Sequence, residues 1–221
     1  MTFRFSVESW APEYGASLEA EGPVDRAQPD VRVDVELPAA DWRPLASPAA
    51  PAREVAFVDG VQRIDARIWV TDAAGATTQG ICGSVAAGVV RCDGAARIEP
   101  PKVDHAVIGV GVTDAIDVRI ATFRAAPTAT SGTEVLIREL EGRRRTLEMA
   151  VSVEAAAADL LVLDWSLFGR EQVPNAIGYL KSHEVAYLAD GPAAVVTALG
   201  PSEGTPVFLT TTNWSRYSWY L

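Results

Sequence analysis

The stretch EVAFVDGVQRIDARIWV (Glu54 to Val70) ends a run of apolar residues in an aspartate, Asp59, and follows it at once with Gly60. Val55 to Val58 reads as a buried strand, and a carboxylate at its tip is costly to desolvate unless it is paired or holds a metal. Asp-Gly is also the strongest short turn signal, with Val61 to Thr71 supplying the second strand of a hairpin. The stretch alone leaves both readings open.

A second acid stands in a similar setting in DLLVLDWSLFGR (Asp159 to Arg170), where Leu160 to Leu163 is a short apolar run ending in Asp164. If the two strands lie side by side and parallel, Asp59 and Asp164 share the carboxyl edge, where open α/β sheets place their sites. Two neighbouring carboxylates repel, and a divalent cation relieves that repulsion. A third ligand follows from counting. From Glu148 to about Ala158 a helix descends roughly 15 Å, and the strand from Leu160 to Asp164 climbs back roughly 13 Å. Glu148 therefore returns to the level of Asp164, whereas Glu154 falls short. The competing reading of Glu148 is a solvated helix face, shared with Glu134, Glu139, Glu141 and Glu154. In NAIGYLKSHEVAYL (Asn175 to Leu188), Lys181 ends another apolar run near the same edge, as a phosphate contact or an ordinary surface lysine.

The wider pattern places these residues. Positions 1–50 are rich in Pro, Ala and Asp and read as an extended N-terminal arm or small cap, with VRVDVEL (Val31 to Leu37) as a strand and Pro44 to Arg53 as a linker. Strands are expected at 54–59, 62–71, 77–85, 88–92 and 106–112. One long helical segment covers Gly132 to Leu161, with Thr133 as N-cap and Gly142 as a break. Strands near 160–164 and 175–181, a short helix near 182–189, and strands near 193–199 and 206–212 complete the reading. A meander, a helix and a strand parallel to the first is the element order of a ribonuclease H-like α/β fold. It implies a mixed sheet flanked by helices over 51–221.

The chain has 221 residues, with 48% hydrophobic and 22% charged, so a folded core is the expectation. No apolar run approaches the roughly 18 residues that span a bilayer. The start, MTFRFSVESW, lacks the apolar core of a signal peptide, so a cytoplasmic location without membrane contact is expected. The formal net charge of −10 opposes broad nonspecific binding to a phosphate backbone. Cys82 and Cys92 flank Ala86-Ala87-Gly88 symmetrically, as though across a hairpin, and are read as free thiols rather than a disulfide or zinc site. His105 and His183 are not spaced as a metal pair. No Gly-x-Ser-x-Gly elbow or phosphate-binding loop occurs, which leaves serine-hydrolase and nucleotide-phosphate readings without support.

Four motifs in order resemble the NurA nuclease family: Asp59-Gly60 after an apolar strand, a helical Leu147-Glu148, Asp164-x-Ser166-Leu167 ending a second strand, and Gly178-x-x-Lys181-Ser182. The resemblance covers about 54–221. It departs at Val61, where serine is frequent, and at Trp165, where glycine is usual. It implies manganese- or magnesium-dependent cleavage of DNA during end processing and repair, in cooperation with a HerA-type hexameric ATPase. Asp59, Glu148 and Asp164 would be the metal ligands, and Lys181, with Arg63 or Arg216, would contact phosphates. It also implies a further C-terminal segment with another active-site group, so the chain reads as a fragment or a reduced member. A noncatalytic ribonuclease H-like binding or assembly subunit is the rival. The aromatic cluster Trp214, Tyr217, Trp219 and Tyr220 is expected on an edge strand, covered by a missing segment, a second copy, an ATPase partner or the chain's own core.

Overall fold

A computed structural model describes residues 4–7, 29–47, 49–164, 167–180, 187–212 and 214–221. Strands β1 (Arg4–Val7), β2 (Asp30–Arg32) and β3 (Leu45–Ala46) precede two long strands, β4 (Val55–Thr71) and β5 (Thr77–Cys92). Then come β6 (Ala96–Ile98), β7 (Lys102–Val110), β8 (Ile116–Val118), β9 (Ala121–Thr128) and helix α1 (Thr133–Ala155). The chain continues through β10 (Leu160–Asp164), β11 (Ala176–Tyr179), helix α2 (Asp190–Thr197), β12 (Glu203–Gly204), β13 (Phe208–Thr211) and β14 (Ser215–Ser218). The architecture is mixed α/β with one large mixed sheet. No helix among the described residues is long and apolar enough to cross a membrane.

The chain divides into two compact units, Met1–Gly22 with Ala52–Leu180, and Pro23–Pro51 with Lys181–Leu221. The positions read as an arm thus contribute to both units. The division after Pro51 coincides with the end of the Pro- and Ala-rich stretch. The one after Leu180 has no compositional mark.

The first unit holds a nine-stranded sheet with the path β11-β10-β4-β5-β7-β9-β8, to which β1 adds on β4 and β6 on β5. The length of β4 lets two strands share its edge: β10 runs parallel beside Val55–Val58, and β1 runs antiparallel beside Ile68–Thr71. The hairpin expected at Asp59-Gly60 does not form. Asp59, Gly60 and Val61 instead stay paired with Gly88, Ala87 and Ala86 of β5. The chain reverses at 72–76, where Asp72 Oδ1 accepts from the amides of Ala74 and Ala76 and Gly75 takes a φ of 86°. That positive φ is what glycine permits there. Because β5 is likewise continuous through 86–88, Cys82 and Cys92 lie on one strand and do not face each other. Both are free thiols, and burial first, then the Asp65 carboxylate, pushes Cys82 up to about 11.

A bulge at Asp65 shifts the register between Ile64 and Ala66 and exchanges the faces of β4. Before it, Ala56 and Val58 pack with Leu161 and Leu163 against Val151 and Ala155 of α1. After it, Ala66, Ile68 and Val70 pack with Cys82, Val107 and Phe123 on the opposite face. The rest of α1 docks through Leu136 and Leu140 onto Ile81, Val85 and Ile108. Gly83 makes that docking close, since a Cβ there would stand 2.7 Å from Leu140.

Helix α1 is unbroken at Gly142, contrary to the expected break. A Cβ at Gly142 would meet nothing within 4 Å. Gly142→Ala should therefore stabilise the unit by about 1 kcal/mol, through helix propensity and a less flexible unfolded chain. Urea unfolding of the two proteins checks this, and an equal or lower midpoint for the variant would contradict it.

The second unit pairs β13 with β14 and β2, and β12 with β3. Its core gathers Trp42, Leu188, Val195 and Phe208. The strand expected near 193–199 lies in helix α2, whose Val195 joins this core. The strand expected over 31–37 ends at Arg32. Of the terminal aromatics, Tyr220 stacks on Phe208 with centroids 5.9 Å apart, whereas Tyr217 and Trp219 are exposed.

Candidate functional site

The three acids stand on β4, α1 and β10, of which β10, entered from α1, pairs in parallel with β4. Leu163 of β10 pairs with Val58 of β4, so the next residues, Asp164 and Asp59, stand at one level on neighbouring parallel strands. Strands in a sheet are about 4.8 Å apart. Alternation from the buried Ala56 and Val58, and from Leu161 and Leu163, turns both aspartates to the face opposite α1. Asp59 is exposed and accepts the Gly60 amide at 2.7 Å.

Glu148 lies under Gly60 on the α1 face, across the sheet from the side chains of the two aspartates, so the three carboxylates do not converge. Glu148 is 4% exposed, and its carboxylate lies against Gly60 so closely that a Cβ there would fall 2.2 Å from Oε1. The glycine after Asp59 is thus a place for a side chain 88 positions later to rest. Both carboxylate oxygens are engaged: Arg144, one helical turn earlier, binds Oε1, and the buried Arg170, from the segment after β10, binds Oε2. Arg144 also donates from Nε to Gln62 Oε1 at 3.3 Å, which ties α1 to β4. Sequence reasoning missed both arginines. Arg144 left a signal in its i, i+4 spacing to Glu148. Arg170, 22 residues beyond Glu148, left none.

The other expected site residues are dispersed. Arg63 lies four residues along β4 from Asp59, roughly 13 Å, with its Nε 3.4 Å from Asp65. Arg216 belongs to the second unit, where it stacks over Tyr187 and Trp214 at 5.7 and 5.8 Å and donates to the Tyr187 hydroxyl. Lys181 lies outside the described residues, as do Trp165, Ser166 and Ser182.

Carboxylate oxygens at Asp59 and Asp164 suit a hard divalent cation such as magnesium or manganese. Glu148, paired twice on the α1 face, is not available to such an ion. Among the described residues, no group of three or more His, Cys, Asp or Glu side chains is disposed to hold a metal.

Two further polar clusters occur in this unit. Ser84 bridges β4 and β7: its hydroxyl donates to Asp65, and His105 Nδ1 lies 2.6 Å from Ser84 Oγ. The serine's single proton goes to the carboxylate, so the imidazole N–H donates to the serine. A hydrolytic triad needs the histidine in the middle, whereas here the serine is. The cluster clamps three strands at the bulge. The second lines a cleft of about 440 Å³ bordered by Asp104, Glu139, Gly142, Arg143, Thr146 and Leu147. Burial pushes the Asp104 carboxyl up, but the guanidiniums of Arg124 and Arg143 outweigh it and hold the group below the usual carboxylate range.

No protein-family model matches the chain, and no curated protein matches it in sequence.

Proposed function

We propose that the chain is a divalent-metal-dependent DNA nuclease with a ribonuclease H-like core of the NurA type. One observation carries this reading: Asp59 and Asp164 stand at one level on neighbouring parallel strands, a placement that repels unless a cation is shared. The return of the chain through α1 and β10 to the edge of β4 supports it. Asp59 and Asp164 would hold manganese or magnesium, without Glu148, which lies on the α1 face and is paired with two arginines. Such an ion supplies Lewis-acid activation of water and charge stabilisation at the leaving 3′ oxygen. The aspartates otherwise repel a DNA backbone, so substrate binding depends on local cations. Arg63, on the same strand as Asp59, is a proposed phosphate contact. At a net charge of −10, affinity for DNA by the chain alone is weak and steeply salt-dependent. A HerA-type hexameric ATPase, as the resemblance implies, and a second copy of the chain are the proposed partners. The exposed Tyr217 and Trp219 beside edge strand β14 offer a contact surface.

The double pairing of Glu148 favours a second reading, a noncatalytic subunit that keeps the core and assembles with a motor. A cleavage assay on linear DNA separates the two. The nuclease reading expects manganese-dependent cleavage that rises with the motor and ATP and is lost in Asp59→Ala. No cleavage under any of these conditions, with the motor bound, establishes the noncatalytic reading.

A further inference from the structure

We propose that the sheet face opposite α1 is a docking surface for a partner protein, which lays on it the apolar side of an amphipathic helix bearing a basic residue that meets Asp59. The inference goes beyond both readings above, because it needs neither a metal nor DNA.

Strand register assembles the face. Ile177, Val162, Phe57, Val90 and Ile98 pair in turn across β11, β10, β4, β5 and β6, and form one apolar row five strands wide. Alternation turns this row away from the core under α1, which takes Ala56, Val58, Val89, Leu161 and Leu163 instead. Four residues further along β4, Val61 pairs with Ala86, which pairs with Val103 of β7, so a second row is apolar as well. Asp59 stands between the two rows, beside Gly88, and Tyr179 flanks that level from β11. Phe57, Val61, Ile98, Val103 and Tyr179 are exposed over 44% to 82% of their surface, so this face lies open among the described residues.

Strands buried on both faces read as near-continuous apolar runs, and Val55–Val58 and Leu160–Leu163 are such runs. Helix α1 covers one face of them, which leaves the other in want of a cover. The open face extends about 19 Å across five strands and about 20 Å from Val55 to Val61. It takes a helix, roughly 10–12 Å in diameter. At about 400 Å², it has the size of an apolar patch that marks an interaction site.

Asp59 selects the occupant. A wholly apolar helix would desolvate its carboxylate with no counter-charge, which is costly. A second copy turned about the centre of the face would set Asp59 against its own duplicate, and like charges oppose that burial. A guanidinium or ammonium in the middle of an apolar helix face meets Asp59, while apolar side chains at i, i+3, i+4 and i+7 fill the two rows. The formal charge of −10 draws a cationic segment in.

Selection of a phage-displayed library of random helical peptides, about four turns long, on the full chain tests this. Enriched peptides should carry apolar residues at helical spacing with Arg or Lys among them. Calorimetric titration of one such peptide should show about 10-fold weaker binding to Asp59→Asn than to the parent, the low end for a close interfacial charge pair. Phe57→Ser and, separately, Val61→Ser, at exposed positions and with melting temperatures measured alongside, should each weaken binding about 10-fold or more. Gln in place of the peptide's basic residue should cost about as much against the parent and little against Asp59→Asn. No enrichment, enriched peptides without a basic residue, or binding undiminished in Asp59→Asn or in both Ser variants would overturn the proposal. So would a parent dimer in sedimentation that the Ser variants dissolve, because it would assign the face to a second copy.

Discussion

Glu148→Ala should destabilise the first unit by about 3–5 kcal/mol, the usual cost of removing one partner from a buried ion pair. The carboxylate is 4% exposed and serves two guanidiniums. Its loss leaves Arg170 buried without that counter-charge, whereas Arg144 can turn to Gln62 and water. For a domain of this size the melting temperature should fall by about 10 °C. The charge-free pair Glu148→Leu with Arg170→Met should recover most of the loss, because well-packed apolar residues often replace a buried ion pair without penalty. Calorimetry of the three proteins decides the matter. A drop of the same size in the double variant would mean that lost packing, not an unpaired charge, dominates. Asp59→Asn supplies the contrast: its side chain is exposed, so it should move the melting temperature little while removing the proposed nuclease activity.

Gly60→Ala should cost about 2–3 kcal/mol, as overpacking does in a filled interior. Its Cβ would fall 2.2 Å from Glu148 Oε1, 2.7 Å from Cγ and 2.8 Å from Cδ. A flexible side chain would normally step aside, but two arginines hold this one in place. The backbone at Gly60 is not in the left-handed region, so contact alone carries the penalty. A double-mutant cycle isolates it: in the Glu148→Ala background, Gly60→Ala should cost less than half as much. An equal cost in both backgrounds would show that Glu148 is not what requires the glycine. Gly142→Ala, with open space at its Cβ, should change stability in the opposite direction.

The fates of these two glycines show how far local sequence reaches. The apolar runs at Val55–Val58 and Leu160–Leu163, each followed by an aspartate, and the helical composition before the second were enough to read two strands and the helix that leads into β10. Burial periodicity and crossover length are properties of contiguous residues. Local sequence could not tell whether Asp59-Gly60 turns or continues. Its pairing with Gly88 and Ala87 of β5 and the seat it provides for Glu148 depend on residues far along the chain. The segment at 193–199 carries strand propensity in Val195, Val196 and Thr197, but these residues are helical where Val195 joins Phe208 and Trp42. The Asp65 bulge, which sends Val58 to one face and Ala66 to the other, is invisible in a pattern read with strict alternation. By itself, therefore, the sequence determined the apolar strand segments before Asp59 and Asp164, the helix and the acids worth testing. Only the tertiary structure decided that Asp59 and Asp164 share a level while Glu148 is held by Arg144 and Arg170. Strand register and buried charge pairing are set by contacts between distant segments, and those contacts leave no periodic trace along the chain.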